Sequence, residues 1–319
     1  HYSTRCFQHA FITMTTPHAF GEPPKAARKH HEHNHHGIVV QDPYAWLQDP
    51  NYPTVNDQEI LDYLQAENTY FEQYMAPNRE LVDTLFKELK GRKSDSDESV
   101  PYFHNGYHYQ WRFNEGDQYR RWYRAAGSHE HEQIDPRDWV TLLDENALAT
   151  DQDYFRLGAM SVSPNNQFIA YSIDTDGGER FTLHVIDLTN GIAVTSPITH
   201  TIGEAIWNQH SDGLLYRHVN EQWRPDKIYW RKLHDDQADT LICAEEDGGF
   251  FLSMHLSQSE QLVFLRSADH VTSEVSYLPI DNFSATPVMI SPRSSGHEYD
   301  VEHYQDQLLI RSNLRQPNF

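Results

Sequence analysis

The sequence predicts a mainly β protein: a partial β-propeller of about four blades plus the start of a fifth, preceded by two α-helices. Three observations predict it. A pattern of strand, polar turn and apolar strand recurs as SVSPNNQFIAYS, AIWNQHSDGLLYR, SMHLSQSEQLVFLR and DVEHYQDQLLIR. Ile169, Leu215, Val263 and Leu309 hold equivalent places in it, roughly 46–48 residues apart, about one propeller blade. From Pro101 onward, short runs rich in Tyr, Phe, Val, Ile and Thr alternate with Asn-Gly, Asp-Gly, Gly-Gly and Pro turns, the composition of strands and their connections. Before Arg92, apolar residues instead repeat at helical spacing.

Residues 1–36 read as a disordered or non-native leader. HYSTRCFQHAFIT precedes Met14 and lacks the charged, apolar and small-residue regions of a signal peptide. Residues 37–92 form the N-terminal helical segment. Asp42–Pro53, rich in Pro, Asp and aromatics, reads as a short turn or helix that docks. Asp57 then opens a run in which Ile60, Tyr63, Leu64, Tyr70, Phe71 and Met75 repeat near helical spacing until Pro77, which cannot continue a helix. Asn78 caps a second segment with Leu81, Leu85, Phe86 and Leu89 on one face.

Residues 101–319 read as the propeller. Tyr107–Phe113, Gln118–Ala126, Phe168–Asp174, Phe181–Leu188, Lys227–Leu233 and Glu274–Ile280 are its clearest strands. Asp151–Gly191 reads as one whole blade with its turns, and Tyr107–Phe113 opens an earlier, divergent one. Tyr299–Phe319 resembles an opening hairpin without outer strands. An unclosed ring leaves apolar faces and strand edges exposed, so the expectation is that the ring continues beyond Phe319.

Composition narrows the function. The chain has 319 residues, 38% of them hydrophobic, with a mean hydropathy of −0.74. No run approaches the ~18–20 apolar residues that span a bilayer, so no membrane partner is expected. A formal net charge of −22 argues against nucleic acid, whose phosphates need clustered Lys and Arg. Such a field steers cationic peptides, or it serves solubility alone. Cys6 and Cys243 are too few for a disulfide framework. That favours a reducing compartment, the cytoplasm, with the periplasm left open. Cys243 in LICAEE reads as a small apolar strand residue.

Several stretches together resemble the prolyl oligopeptidase family of serine peptidases, and within it the oligopeptidase B branch. The likeness begins with HGIVVQDPYAWLQDPNYP and continues through ILDYLQAENTYFEQYM. It is strongest in YFRLGAMSVSPNNQFIAYSIDTDGGERFTLHVIDLTNG, NEQWRPDKIYW and DHVTSEVSYLP. The resemblance implies a seven-bladed propeller that caps a C-terminal α/β-hydrolase domain and admits only short peptides. It also implies N-terminal helices packed on that domain and cleavage after Arg or Lys. The catalytic Ser, Asp and His lie in the C-terminal part of such enzymes. The α/β-hydrolase domain is absent from this chain, and no catalytic residue is assigned here. A nucleophile elbow reads G-x-S-x-G between strand and helix; Ser294, Ser295 and Gly296 in PRSSGHE are nearest in composition, with no helix following.

The implied partners are short basic peptides and the C-terminal hydrolase domain of the same protein, with no cofactor. The resemblance gives Glu179, in the GGER turn, a substrate or interdomain role. The plainer reading is a solvated turn carboxylate beside Arg180. His30, His31, His33, His35 and His36 crowd together as chelating imidazoles do, yet lack fixed partners, so only adventitious metal binding is expected. The acid pairs Asp174/Asp176, Asp235/Asp236 and Glu245/Glu246 suit a glycosidase less than ordinary turns. Trp223, Arg224 and Pro225 read as an inter-strand turn with an aromatic anchor. Two further readings stay open: a stand-alone propeller scaffold or peptide-binding module, and a prolyl-specific relative.

Overall fold

The computed structural model describes residues 21–52, 54–234 and 238–316. The chain forms two compact units, His1–Ser94 and Asp95–Phe319.

In the first unit His36 and Gly37 take φ of 53° and 80°, the left-handed pair that a two-residue hairpin loop requires. They join β1 (Glu32–His35) to β2 (Ile38–Gln41), with Glu32 opposite Gln41. The last part of residues 1–36, over which a disordered or non-native leader is expected, is held by hydrogen bonds. Lys29 N donates to Pro43 O at 3.0 Å, and Trp46 Nε1 donates to Ala27 O at 2.7 Å. Residues 1–20, Cys6 among them, lie outside the described residues. Asp49 organises the docking turn: its carboxylate accepts from the backbone N–H of Asn51, Asp57 and Asn56, which hold its pKa below the usual range.

Asp57 caps α1 (Gln58–Met75) by accepting from Glu59 N at 2.9 Å. Pro77 falls in the short 3-10 turn that separates it from α2 (Arg79–Lys90). Asn78 makes no side-chain capping bond. It sits inside that turn at φ −99° rather than in the extended conformation that aims a cap at the N-terminal amides. Of the apolar positions that predicted the helices, Ile60 is buried, whereas Leu64, Phe71, Leu81, Leu85, Phe86 and Leu89 are exposed. Among the described residues no helix is long and apolar enough to cross a membrane.

The second unit is a run of antiparallel blades. In the first, β3 (Asp97–Glu98) and β4 (Tyr102–His104) both pair with β5 (Tyr107–Phe113), followed by β6 (Arg121–Ala126) and β7 (Val140–Asp144). The second holds β8 (Arg156–Val162), β9 (Phe168–Asp174) and β10 (Phe181–Asp187), edged by the start of β11 (Ile198–Trp207). The rest of β11 opens the third, with β12 (Gly213–Val219), β13 (Pro225–Lys232) and β14 (Thr240–Ala244). The fourth is β15 (Phe251–Leu256), β16 (Leu262–Ala268), β17 (Ser273–Pro279) and β18 (Val288–Ser291), and β19 (Tyr299–Tyr304) with β20 (Gln307–Ser312) begins a fifth.

β11 serves two blades because its register shifts between Thr201 and Ala205, around Gly203 at φ 99°. A Cβ on Gly203 would lie 2.8 Å from Ser172 Oγ, and one on Gly158 would lie 2.5 Å from the Phe181 ring. These two glycines admit the Phe181 side chain.

Each blade buries its faces on the next. Tyr109 and Leu142 pack with Ile169 and Tyr171 between the first and second blades. Phe168, Leu183 and Val185 pack with Trp207 and Leu214 between the second and third. Leu215, Ile228 and Trp230 meet Leu252, Val263 and Phe283, and Phe264 and Val275 meet Tyr299 and Val301. The repeated turns have one hydrogen-bond pattern, Ser163 N to Phe168 O, Asn208 N to Gly213 O and Ser257 N to Leu262 O. This aligns Leu214, not Leu215, with Ile169 and Val263. Leu309 also falls off the alignment: Leu308 packs against the core formed by Phe264, Val275, Tyr299 and Val301, whereas Leu309, on the opposite face of β20, is exposed.

Candidate functional site

The turns between the second and third strands of successive blades present the residues that the sequence singled out. Asp174, buried at the end of β9, builds the first of these turns. Burial works against its charge, but the backbone N–H groups of Asp176, Glu179 and Gly177 prevail and hold its pKa below the usual range. Glu179 takes φ 55°, an uncommon conformation for a residue with a Cβ, and its exposed carboxylate turns outward. Its ion-pair partner is Arg156, at 2.9 Å, not the adjacent Arg180.

Arg180 reaches the next blade instead. Its guanidinium lies 3.7 Å from the Trp223 ring centroid and donates to Glu221 O at 2.7 Å, while Trp223 Nε1 donates to Gly178 O. Arg224 repeats the device one blade on, over the Phe251 ring at 4.1 Å and donating to Phe250 O at 2.6 Å. The WRP turn is an inter-blade clamp.

A second clamp uses Glu245 and Glu274. Arg293 Nη2 donates to Glu245 at 2.5 Å and to Glu274 at 2.7 Å, and Ser267 Oγ also donates to Glu245. Glu245 is held below the usual carboxylate range although burial opposes its charge; for Glu274 the Arg293 bond itself is the largest cause. Glu245 thereby serves a structural ion cluster. Asp235 and Asp236 lie outside the described residues. Ser294 and Gly296 form a turn, with His297 N donating to Ser294 O at 2.9 Å and β19 following. Cys243 lies in β14, where burial pushes its thiol pKa up.

On β1 the rings of His33 and His35 are 5.0 Å apart, and His30 contacts Glu32 at 3.3 Å. Among the described residues no three His, Cys, Asp or Glu side chains converge on a metal position.

Cavities lie along the inner strands. Met160, Glu204, Met254 and His255 line one of about 260 Å³. His104, Trp207 and Glu260 line another of about 550 Å³ at the opposite turns. A third, of about 410 Å³, lies between the first two blades and holds a residue that sequence reasoning passed over. Glu145 opens α3 (Glu145–Leu148) and is 7% exposed. Its carboxylate accepts from Trp122 Nε1 at 2.7 Å. Burial pushes its pKa up, against the Trp122 bond and the charge of Arg120. In LLDENALA nothing distinguishes it from a solvated acid at a strand end.

The family model described as prolyl oligopeptidase, N-terminal beta-propeller domain, matches residues 23–319. Protease 2 of Moraxella lacunata is 31% identical over 299 residues, covering 93% of this chain and 42% of that protein. Dipeptidyl aminopeptidase BI of Pseudoxanthomonas mexicana is 30% identical over 331 residues, covering 95% and 44%. The chain spans less than half the length of these relatives. In fold it is similar to oligopeptidase B from Leishmania major, with a TM-score of 0.84 at 23% identity over 92% of this chain and 43% of that one.

Proposed function

Because the chain belongs to the prolyl oligopeptidase family, through its N-terminal propeller domain, we propose that it is the propeller part of an oligopeptidase B-like serine peptidase acting on short peptides after Arg or Lys. The family match across residues 23–319 carries the reading. The propeller's part is to gate access to the site and to dock the catalytic α/β-hydrolase domain. Cavities walled by side chains of the inner strands support the gating role. The uncovered apolar stripe of α1 and α2 supports docking, since a contiguous exposed apolar face marks an interaction surface. In the whole enzyme a Ser hydroxyl attacks the scissile carbonyl, a His takes its proton, and backbone donors hold the oxyanion. The acidic surface, net −22, favours basic substrates by raising their local concentration.

The test is kcat/KM of the protein encoded by the uninterrupted gene, on matched reporter peptides ending in Arg, Lys or Pro. The expected result is a preference for Arg and Lys of about 100-fold or more, because a site built to pair a charged side chain is left with unpaired buried polar groups by a neutral one. A preference for Pro would move the chain to the prolyl-specific reading, and no hydrolysis of any of the three would leave a scaffold.

A further inference from the structure

We propose that the cavity between the first and second blades is a binding subsite for an alkyl-guanidinium or alkyl-ammonium cation, as a basic peptide side chain carries, with Glu145 as its counter-ion. A carboxylate 7% exposed is costly to keep charged unless it is paired and hydrogen-bonded. Among the described residues its sole donor is the Trp122 indole, at 2.7 Å, and no lysine or arginine forms an ion pair with it. Neither nearby arginine pairs with it. Arg120 also lines the cavity and its charge favours the ionised carboxyl, but its guanidinium lies 4.6 Å from the Trp111 ring centroid and makes no ion pair with Glu145. Arg121 is bonded to Asp117 at 2.9 Å and to Asp144 at 2.5 Å.

The walls suit the same ligand. Tyr102, Phe113, Tyr119 and Trp122 line the cavity, and aromatic faces attract desolvated cations. Leu157 and Met160 supply apolar surface for an alkyl stem. A volume of about 410 Å³ is at the small end of ligand sites, roughly 300–1,000 Å³, and fits one side chain. Ala159 and Met160 also line the 260 Å³ cavity of the inner strands. A peptide lying along those strands therefore has the subsite within reach of one residue.

The choice of a peptide as the source of the cation rests on the proposed function; the binding chemistry does not. The test is calorimetric titration of this chain with acetyl-arginine amide and with acetyl-citrulline amide, its neutral isostere. The expected result is at least about tenfold tighter binding of the arginine probe. Glu145→Gln, which keeps the acceptor for Trp122, should abolish that difference without lowering Tm. Equal binding of the two probes, no binding of either, or an undiminished preference in Glu145→Gln overturns the proposal. If Glu145→Gln does not fold, the two probes on the unaltered chain decide. No hydrolysis is involved, so a negative result here leaves the peptidase reading intact, and a failure of that reading leaves this measurement valid.

Discussion

At the residue scale, the side chains that hold the blades together are polar clamps set on apolar faces. Arg293 is the clearest, bonded to Glu245 and Glu274 and lying 3.9 Å from the Phe250 ring centroid. Both carboxyls have depressed pKa values in the fold. Their contribution is therefore fully present above the unfolded value of 4.5 and is lost as pH falls through the depressed folded values. Arg293→Met leaves two part-buried carboxylates facing one another and should cost about 3 kcal/mol at pH 7. Urea unfolding from pH 7 to pH 3 should show a shallower acid loss in the variant than in the unaltered chain; parallel curves would contradict the assignment. The sequence revealed Glu179 as a turn carboxylate but not its partner. Arg156 is distant in sequence, and only the pairing of β8 with β9 brings it near. Glu145 was illegible for a related reason: Trp122, which donates to it, and Tyr119 and Leu157, which line the cavity with it, are distant in sequence.

At the element scale, what could be read locally was read. Asp57 as a cap, Pro77 as a stop and the polar turns of the blades each depend on neighbours a few residues away. The Asn78 cap failed because the preceding 3-10 turn fixes its backbone. The one-residue slip at Leu215 has a different cause. Leu214 and Leu215 are both fully buried, on opposite faces of β12, and a strand covered on both sides carries no alternation from which to read register. Gly213, which precedes them, is packed against the Arg231 carbonyl and the Trp230 ring, so closely that a Cβ has no room. Gly213→Ala should therefore destabilise the chain by about 2–3 kcal/mol through overpacking, measured by urea unfolding. A change under about 0.5 kcal/mol would mean that β12 and β13 are less tightly apposed than described.

At the scale of the whole molecule, the repeat was legible because every blade solves one problem, burying two apolar faces, with the same strand and turn pattern. The four inter-blade cores are its physical expression. What the repeat could not reveal is chemistry, since the same strand and turn pattern recurs in every blade and the proposed reaction is assigned to no residue of this chain. The account's central claim is that this chain is the propeller part of a larger serine peptidase. The reading frame of its gene downstream of the Phe319 codon tests that most directly. The account predicts an open frame with further strand–turn–strand repeats and then a Gly-x-Ser-x-Gly between strand and helix, in a domain of about 250 residues. An in-frame stop shortly after that codon would contradict it.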